Sequence, residues 1–161
     1  MQIQKDFTQA GFTLIELLVV VAIIALMSAI ALVSLQSSRE QSRNTKRLSD
    51  MATMNSALEL YFAENKGYPS ESGGLPIGLT PTYASTLAKE PITADGVCIG
   101  QTNPTFPTVP ANTYYYEATG TSYIGANGGT VYSDYNYYFC LGAKTGNFPA
   151  GNRYMKPTGV K

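Results

Sequence analysis

The sequence predicts an α+β protein in which one long N-terminal helix packs on a small antiparallel β-sheet. Three observations support this fold class. Residues 12–35 form an unbroken apolar run, the next thirty or so residues, to Asn65, carry apolar side chains at helical spacing, and aromatic and β-branched residues dominate after Asn112.

The apolar run is long enough to cross a membrane. As a helix, residues 12–35 would extend roughly 36 Å, against a bilayer hydrocarbon core of about 30 Å. The run contains no Pro or Gly, and no ionisable side chain lies between Glu16 and Arg39. We therefore expect residues 12–35 to form a transmembrane helix.

The helix is expected to continue as an amphipathic segment as far as Asn65. Its apolar residues recur at intervals of three and four, which places them on one face: Leu48, Met51, Met54, Leu58, Tyr61 and Phe62. We predict that Gly67 provides the left-handed cap and that Pro69 prevents the helix from continuing. The charged side chains Arg39, Arg43, Arg47, Asp50 and Glu64 are expected elsewhere on the helix surface.

The rest of the chain predicts loops and three or four strands. Residues 68–111 are rich in Gly, Pro, Ser and Thr, which indicates a long loop with one short helix near residues 83–88. Residues 113–118 and 122–124 predict a hairpin around Gly120, with a second turn at residues 127–129 and a strand over residues 137–143. Residues 146–161 are expected to be irregular.

Composition argues against several function classes. The chain has 11 Lys and Arg residues and 11 Asp and Glu residues, so its formal net charge is zero. Net charge therefore gives no reason to expect a nucleic-acid partner, and whether the chain binds nucleic acid stays unknown. There is no His, which removes Ser-His-Asp and Cys-His nucleophile systems and His-containing zinc sites. We predict neither enzyme activity, nor a cofactor, nor a metal site.

The two cysteines are Cys98 and Cys140. An even number of cysteines after a membrane segment favours a disulfide formed in an oxidising compartment. The alternative is two separate buried thiols. A disulfide would link the predicted loop to the last predicted strand.

Glu16 is the informative residue of the apolar segment. A carboxylate in a membrane span is unfavourable and needs a partner. The nearest positive charge would be a free amine at Phe12, which exists only if the chain is cut between Gly11 and Phe12.

These residues resemble a known signature. The stretch from Gly11 to Leu18 (GFTLIELL) is similar to the cleavage and methylation signature of type IV prepilins. Residues 46–69 resemble the helix end of pilins and of the major pseudopilin of type II secretion. The resemblance implies a ladle-shaped fold, with residues 1–11 as leader, 12–35 as assembly helix and 36–161 as an extracellular or periplasmic globular domain.

The same resemblance implies how the protein is used. A prepilin peptidase would cut after Gly11 and methylate the Phe12 amine, and Glu16 would pair with the amine of a neighbouring subunit. Assembly would involve membrane lipid, a platform protein, an ATPase and other copies of the chain. The protein would begin as a single-pass inner-membrane precursor and end in a type IV pilus at the cell surface or a periplasmic filament. The alternatives are a type II secretion pseudopilin and a non-polymerising membrane-anchored binding domain.

Several further interpretations stay open at this point. The apolar run also fits the pattern of a signal peptide that is cut after Ala31, or of a plain signal anchor. Both interpretations leave Glu16 unexplained. Asp134 and Asn136 offer oxygens for calcium or form an ordinary turn. The tyrosines favour packing over binding, with Tyr115, Tyr123 and Tyr135 as first candidates for a binding face. The basic residues Arg39, Arg43, Lys46 and Arg47 form a solvated or intersubunit face, or contact anionic lipid.

Overall fold

The computed structural model of the chain describes residues 11–91, 95–98 and 113–161, except for the side chains of residues 31–33. The predicted leader apart from Gly11, and residues 92–94 and 99–111 of the predicted loop, lie outside this part of the chain. Internal contacts divide the chain into two units, one ending at Ser38 and the other comprising Arg39–Lys161.

Helix α1 spans Leu14–Asn65, which is 52 residues and about 78 Å. Its first part belongs to the unit that ends at Ser38. There the large apolar side chains are exposed, from Leu14 (81%) to Ile30 (64%). This part of α1 is long and apolar enough to span a membrane, by length and composition.

The second part of α1 contributes the helical side of the core of the unit Arg39–Lys161. Met51, Met54, Leu58 and Tyr61 are buried, and Leu48 and Phe62 are partly buried against them. The predicted apolar face is thus confirmed. Ala57 belongs to the same buried set.

The end of α1 differs from the prediction in one detail. Lys66, not Gly67, takes the left-handed conformation, with φ of 61°. Gly67 is needed for another reason, because a Cβ there would lie 2.6 Å from the Cβ of Val131. The glycine lets the chain leave the helix in contact with the sheet.

Seven strands follow α1 in the described part of the chain. They are β1 (Tyr68–Pro69), β2 (Glu71–Ser72), β3 (Leu75–Pro76), β4 (Tyr115–Ile124), β5 (Thr130–Leu141), β6 (Gly151–Lys156) and β7 (Gly159–Val160). Strand β5 is central: it pairs with β4 along one edge and with β1 and β6 along the other, and β7 pairs with β6. All pairings are antiparallel, and β2 and β3 form a separate small hairpin.

The predicted hairpin around Gly120 is wrong. Residues 115–124 form the single strand β4, and Gly120 lies where its register with β5 shifts, at φ of 80°. Such a bulge needs an extra residue but no reversal of the chain. The reversal occurs at the second predicted turn, between β4 and β5.

Two other loop predictions are wrong. Residues 146–161, expected to be irregular, contain β6 and β7. The region after Gly67 contains β1, β2 and β3, a 3₁₀ turn at Gly96–Cys98, and turns rather than a helix around residues 83–88. Strands this short are set by their partners, since β1 pairs with β5 and β2 pairs with β3, and local composition does not encode these pairings.

Tyrosines form much of the contact between the sheet and α1. Tyr114, Tyr116, Tyr135 and Tyr137 are almost completely buried. Their hydroxyls reach polar groups, since Tyr135 donates to Asn55 Oδ1 at 2.6 Å and Tyr114 donates to Asp50 Oδ2 at 2.8 Å. Tyr135 is therefore excluded from the candidate binding face, and the packing interpretation applies to these residues.

Candidate functional site

The start of α1 places two of the predicted site residues outside the helix. Gly11 and Phe12 precede the first helical residue, Leu14, and Phe12 is 87% exposed. A Cβ added to Gly11 would meet no atom within 4 Å. The fold of the described residues therefore gives no reason for glycine at position 11.

Thr13 and Glu16 form a reciprocal cap on α1. Glu16 Oε2 accepts hydrogen bonds from the Thr13 backbone N–H at 2.9 Å and from the Thr13 hydroxyl at 2.8 Å. The Glu16 backbone N–H donates in return to Thr13 Oγ1 at 3.3 Å. This is a capping box, with Thr13 as the N-cap and Glu16 three residues later.

The cap leaves Glu16 with unused capacity. Only Oε2 takes part in the capping bonds, and Oε1 accepts no hydrogen bond from the described residues. Its apolar neighbours Ile15 (69% exposed) and Leu17 (62% exposed) are open to contact. The site therefore combines a fixed carboxylate, one free oxygen and an apolar surface, which suits binding of a cationic group from another molecule.

Sequence reasoning missed the capping function of Glu16. The signal was present, because Thr13 and Glu16 have the Thr-x-x-Glu spacing that precedes an apolar helix. The cap is an ordinary structural role for this glutamate. Any assembly role of Glu16 must therefore be separated from it by experiment.

A second polar cluster, the arginine clasp, lies at the start of the larger unit. Asp95 accepts hydrogen bonds from Arg43 Nε at 2.7 Å and from Arg47 at 3.3 Å. Asn44 Oδ1 accepts from the same Arg47 at 2.9 Å and from the Gly142 backbone N–H at 3.1 Å. The clasp thus joins α1 to the 3₁₀ turn and to the end of β5.

The clasp corrects the interpretation of the basic residues. Arg47 is 1% exposed and Asp95 5% exposed, so Arg47 is not part of a solvated face. Arg43 forms an ion pair with Asp95, while Arg39 and Lys46 remain exposed. Arg47 follows the helical spacing of Met51, Met54 and Leu58, a signal that sequence reasoning missed.

The clasp shifts the pKa values of its carboxyls in opposite directions. Hydrogen bonds from Arg43 hold the pKa of Asp95 below its usual value, with Arg47 adding to the effect. Burial raises the pKa of Glu90, which lies 3.5 Å from Arg47, and that arginine opposes the rise. Asp95 is therefore the main anionic partner of the two arginines.

Cys98 and Cys140 form a disulfide. It connects the 3₁₀ turn to β5 three residues after Asp95, so the covalent link and the clasp hold the same segment. The Cys98 N–H also donates to the Asp95 carbonyl at 2.9 Å, and the Val97 N–H donates to the Gly142 carbonyl at 3.2 Å.

The candidate calcium oxygens lie within strand β5 rather than in a turn. Asp134 forms an ion pair with Lys156 at 3.1 Å, and the Asn136 amide donates to Glu117 at 3.2 Å. Within the part of the chain that the structure describes, no group of three or more Asp, Glu or Cys residues is placed to hold a metal ion.

Comparison with known proteins identifies the family. A family model described as the prokaryotic N-terminal methylation motif matches residues 7–32, which include the capping box. The type II secretion system core protein G of Vibrio cholerae is 33% identical over 100 residues, covering 55% of this chain and 68% of that protein. The chain belongs to the type IV pilin and pseudopilin family.

Other relatives of this pilin-family chain carry the same name. The type II secretion system core protein G of Pectobacterium carotovorum is 34% identical over 94 residues, covering 58% of this chain and 59% of that protein. The Pseudomonas aeruginosa protein of that name is 37% identical over 67 residues, 42% of this chain and 47% of that protein. The chain thus spans about half the length of several of these relatives, and no solved structure gives a significant match.

The structure confirms the predicted α+β fold class, and family membership confirms the prepilin resemblance. Pilins and pseudopilins are structural subunits rather than enzymes. The exposed apolar start of α1 fits anchoring in the inner membrane followed by incorporation into a periplasmic or surface filament.

Proposed function

We propose that this chain is a pseudopilin of a type II secretion system, a structural subunit that polymerises through the start of α1. One observation carries the polymerisation: an exposed, membrane-length apolar helix holds a single charge, Glu16, with one oxygen unused. The names of the relatives in Vibrio cholerae and Pectobacterium carotovorum support secretion over a surface pilus.

Processing would create the partner for Glu16. A prepilin peptidase would cut the leader, residues 1–11, after Gly11 and methylate the new Phe12 amine. Nothing in the described part of the chain requires glycine at 11, which supports a recognition role, since a missing side chain suits a narrow peptidase site. The exposed position of Phe12 makes the junction accessible.

Assembly would then pair charges between subunits. The Phe12 amine of an incoming copy would bind the free oxygen of Glu16 in its neighbour, while Oε2 keeps its capping bonds. An ion pair surrounded by apolar side chains is less screened than one in water, so it strengthens once lipid or protein covers it. Residues 12–35 would form the filament core and residues 36–161 its surface, with an assembly platform and an ATPase driving extension.

Substitutions can separate the charge of Glu16 from its capping role. Glu16→Gln keeps an acceptor at the third helical position, where glutamine also serves in capping boxes, but removes the charge. Thr13→Ala removes the N-cap hydroxyl and keeps the charge. Glu16→Ala removes both.

We expect Glu16→Gln and Glu16→Ala to abolish filaments, whereas Thr13→Ala keeps them. Filaments would be scored by electron microscopy of cells that overproduce the chain with its secretion machinery, and membrane levels by immunoblot. If Glu16→Gln assembles like the unchanged chain, the charge-pairing role is wrong.

A type IV pilus subunit would use the same Gly11, Phe12 and Glu16. Long fibres shed from the cell surface at native expression would favour the pilus, and their absence alongside a secretion defect in the deletion strain would favour the pseudopilus. N-terminal analysis of membrane material tests the processing step, since a mature chain that begins at Met1 or Leu32 instead of methylated Phe12 contradicts it.

A further inference from the structure

One exposed edge of α1 in the larger unit carries an uneven distribution of charge. This edge, called here the α1 ridge, consists of Arg39, Lys46, Thr53, Leu60 and Glu64. These residues are seven, seven, seven and four positions apart, so they lie along one side of the helix. All five are exposed, and Leu60, an apolar side chain, is 58% exposed.

The two ends of the α1 ridge carry opposite charges, and none of the described residues neutralises them. Among the described residues, Arg39 takes part in no ion pair, and Glu64 has no cationic partner. Lys46, in contrast, pairs with Asp50 at 2.6 Å. The free cation and the free anion of the ridge are therefore Arg39 and Glu64.

Glu64 is held in a defined position. Its Oε2 accepts a hydrogen bond from the Tyr83 hydroxyl at 2.6 Å, and the Asn65 amide donates to that same hydroxyl at 3.1 Å. The Tyr83 ring in turn packs edge-on against Tyr61, with centroids 5.1 Å apart. The second oxygen of Glu64 accepts no hydrogen bond from the described residues, so an oriented acceptor remains for a partner.

The two charges cannot meet within one molecule. Arg39 and Glu64 are 25 positions apart on the same helix, which is about 37 Å. Each would find its complement in a second copy displaced by that distance along the helix. Opposite charges placed in this way fix the register of an interface and disfavour other alignments.

We infer that the α1 ridge is a contact between copies of this chain, in which Arg39 of one copy pairs with Glu64 of a parallel copy. This inference rests on the proposed polymerisation and names one of its surfaces. The exposed Leu60, one turn before Glu64, is covered in the same contact and contributes apolar burial.

The charges alone also allow an antiparallel pair, in which both Arg39–Glu64 contacts form at once. Such a pair is closed and stops at two copies. A parallel, displaced pair is open, because each copy still offers one unused Arg39 and one unused Glu64. In the proposed assembly, copies leave the same membrane one after another, so they share one orientation but differ in axial position, which favours the parallel, displaced arrangement.

Charge reversal tests the contact. We expect Arg39→Glu and Glu64→Arg each to reduce filament yield severalfold at low salt, and the combined Arg39→Glu/Glu64→Arg chain to recover it. Lys144→Glu is the matched control, because Lys144 is exposed, carries the same charge and lies outside α1. It should leave the yield unchanged.

Cysteine crosslinking tests the arrangement. In a chain carrying Arg39→Cys and Glu64→Cys, the two new thiols are too far apart to react within one copy. A ladder of dimers, trimers and larger species under mild oxidation supports the displaced parallel contact.

Two results overturn the inference. One is a dimer without larger species, which indicates the antiparallel pair. The other is no crosslink together with single reversals that assemble normally while filaments form, in which case polymerisation stands and the ridge contact is wrong. If the unchanged chain forms no filaments at all, the proposed function fails first.

Discussion

The two parts of helix α1 have the same secondary structure but opposite relations to their surroundings. Leu17, in the first part, is 62% exposed, whereas Leu58, in the second, is completely buried. The first part is apolar on every side, while the second has one apolar face that covers the sheet. Backbone regularity therefore does not reveal what a helix packs against, whereas the width of its apolar surface does.

The difference has an energetic reason. A helix satisfies most of its backbone hydrogen bonds internally, so it is stable in lipid without any neighbour. Its exposed apolar side chains in the first part therefore need only lipid or other helices. In the second part, burial against tyrosines of the sheet supplies stability to the larger unit, and substitutions there act on folding.

The largest expected effect comes from truncating one leucine in each part. Leu58→Ala should lower the free energy of unfolding by about 2–5 kcal/mol, because it leaves a cavity against the sheet. Leu17→Ala should change that value by less than about 0.5 kcal/mol, as for other exposed sites. Urea unfolding of the full chain in detergent micelles, followed by tyrosine circular dichroism, measures both.

Equal losses of stability in the two leucine variants would contradict the difference between the two parts of α1. They would mean that residues before Ser38 contribute to the stability of the larger unit. Thr53→Ala, an exposed substitution on the second part of α1, serves as the control for effects of the helix itself.

The next effect concerns the disulfide. Replacing both Cys98 and Cys140 with serine should lower the free energy of unfolding by about 2–4 kcal/mol, because the unfolded chain loses a constraint. Membrane integration, which depends on the first part of α1, should not change. Urea unfolding and carbonate extraction of membranes measure the two properties, and a loss of integration would contradict the separation of the two parts.

The smallest effect is a dependence of stability on pH. Because Arg43 lowers the pKa of Asp95 in the folded state, stability from the clasp is present above the ordinary aspartate pKa, about 4, and is lost as pH falls further. Asp95→Asn should therefore be less stable than the unchanged chain at pH 7. Below pH about 4 its stability should fall less steeply than that of the unchanged chain.

Thermal unfolding measured at about five evenly spaced pH values between pH 3 and pH 7 gives this dependence. Asp134→Asn is the matched control, since Asp134 is 36% exposed, forms a surface pair with Lys156 and accepts a hydrogen bond from the neighbouring Tyr135 N–H. A control that matches Asp95→Asn in its acid profile would assign the effect to general charge rather than to the clasp.

Much of α1 and its chemistry was predictable because the signals are local. The apolar run, the face from Leu48 to Phe62 and the position of Glu16 depend only on residues a few positions apart. The Thr-x-x-Glu spacing of the capping box formed by Thr13 and Glu16 is equally local. The pairing of Cys98 with Cys140 was predictable only because no other cysteine exists.

The sheet was less predictable because turn residues act through their partners. Gly120 reads locally as a turn, yet the Thr121 N–H donates to Ser133 Oγ at 2.9 Å and the strand continues. The irregular composition of residues 146–161 likewise gave no sign of β6, whose register with β5 is fixed by pairs such as Tyr138 with Tyr154.

The sequence by itself determines the first part of α1, because an apolar helix with one carboxylate, Glu16, needs no distant residue to define it. The role of Arg47 is the opposite case. Its burial depends on Asp95, 48 positions later, and on Asn44 and Gly142 around it. A buried cation is tolerated only where folding brings anions and acceptors to it, and that arrangement exists only in the folded protein.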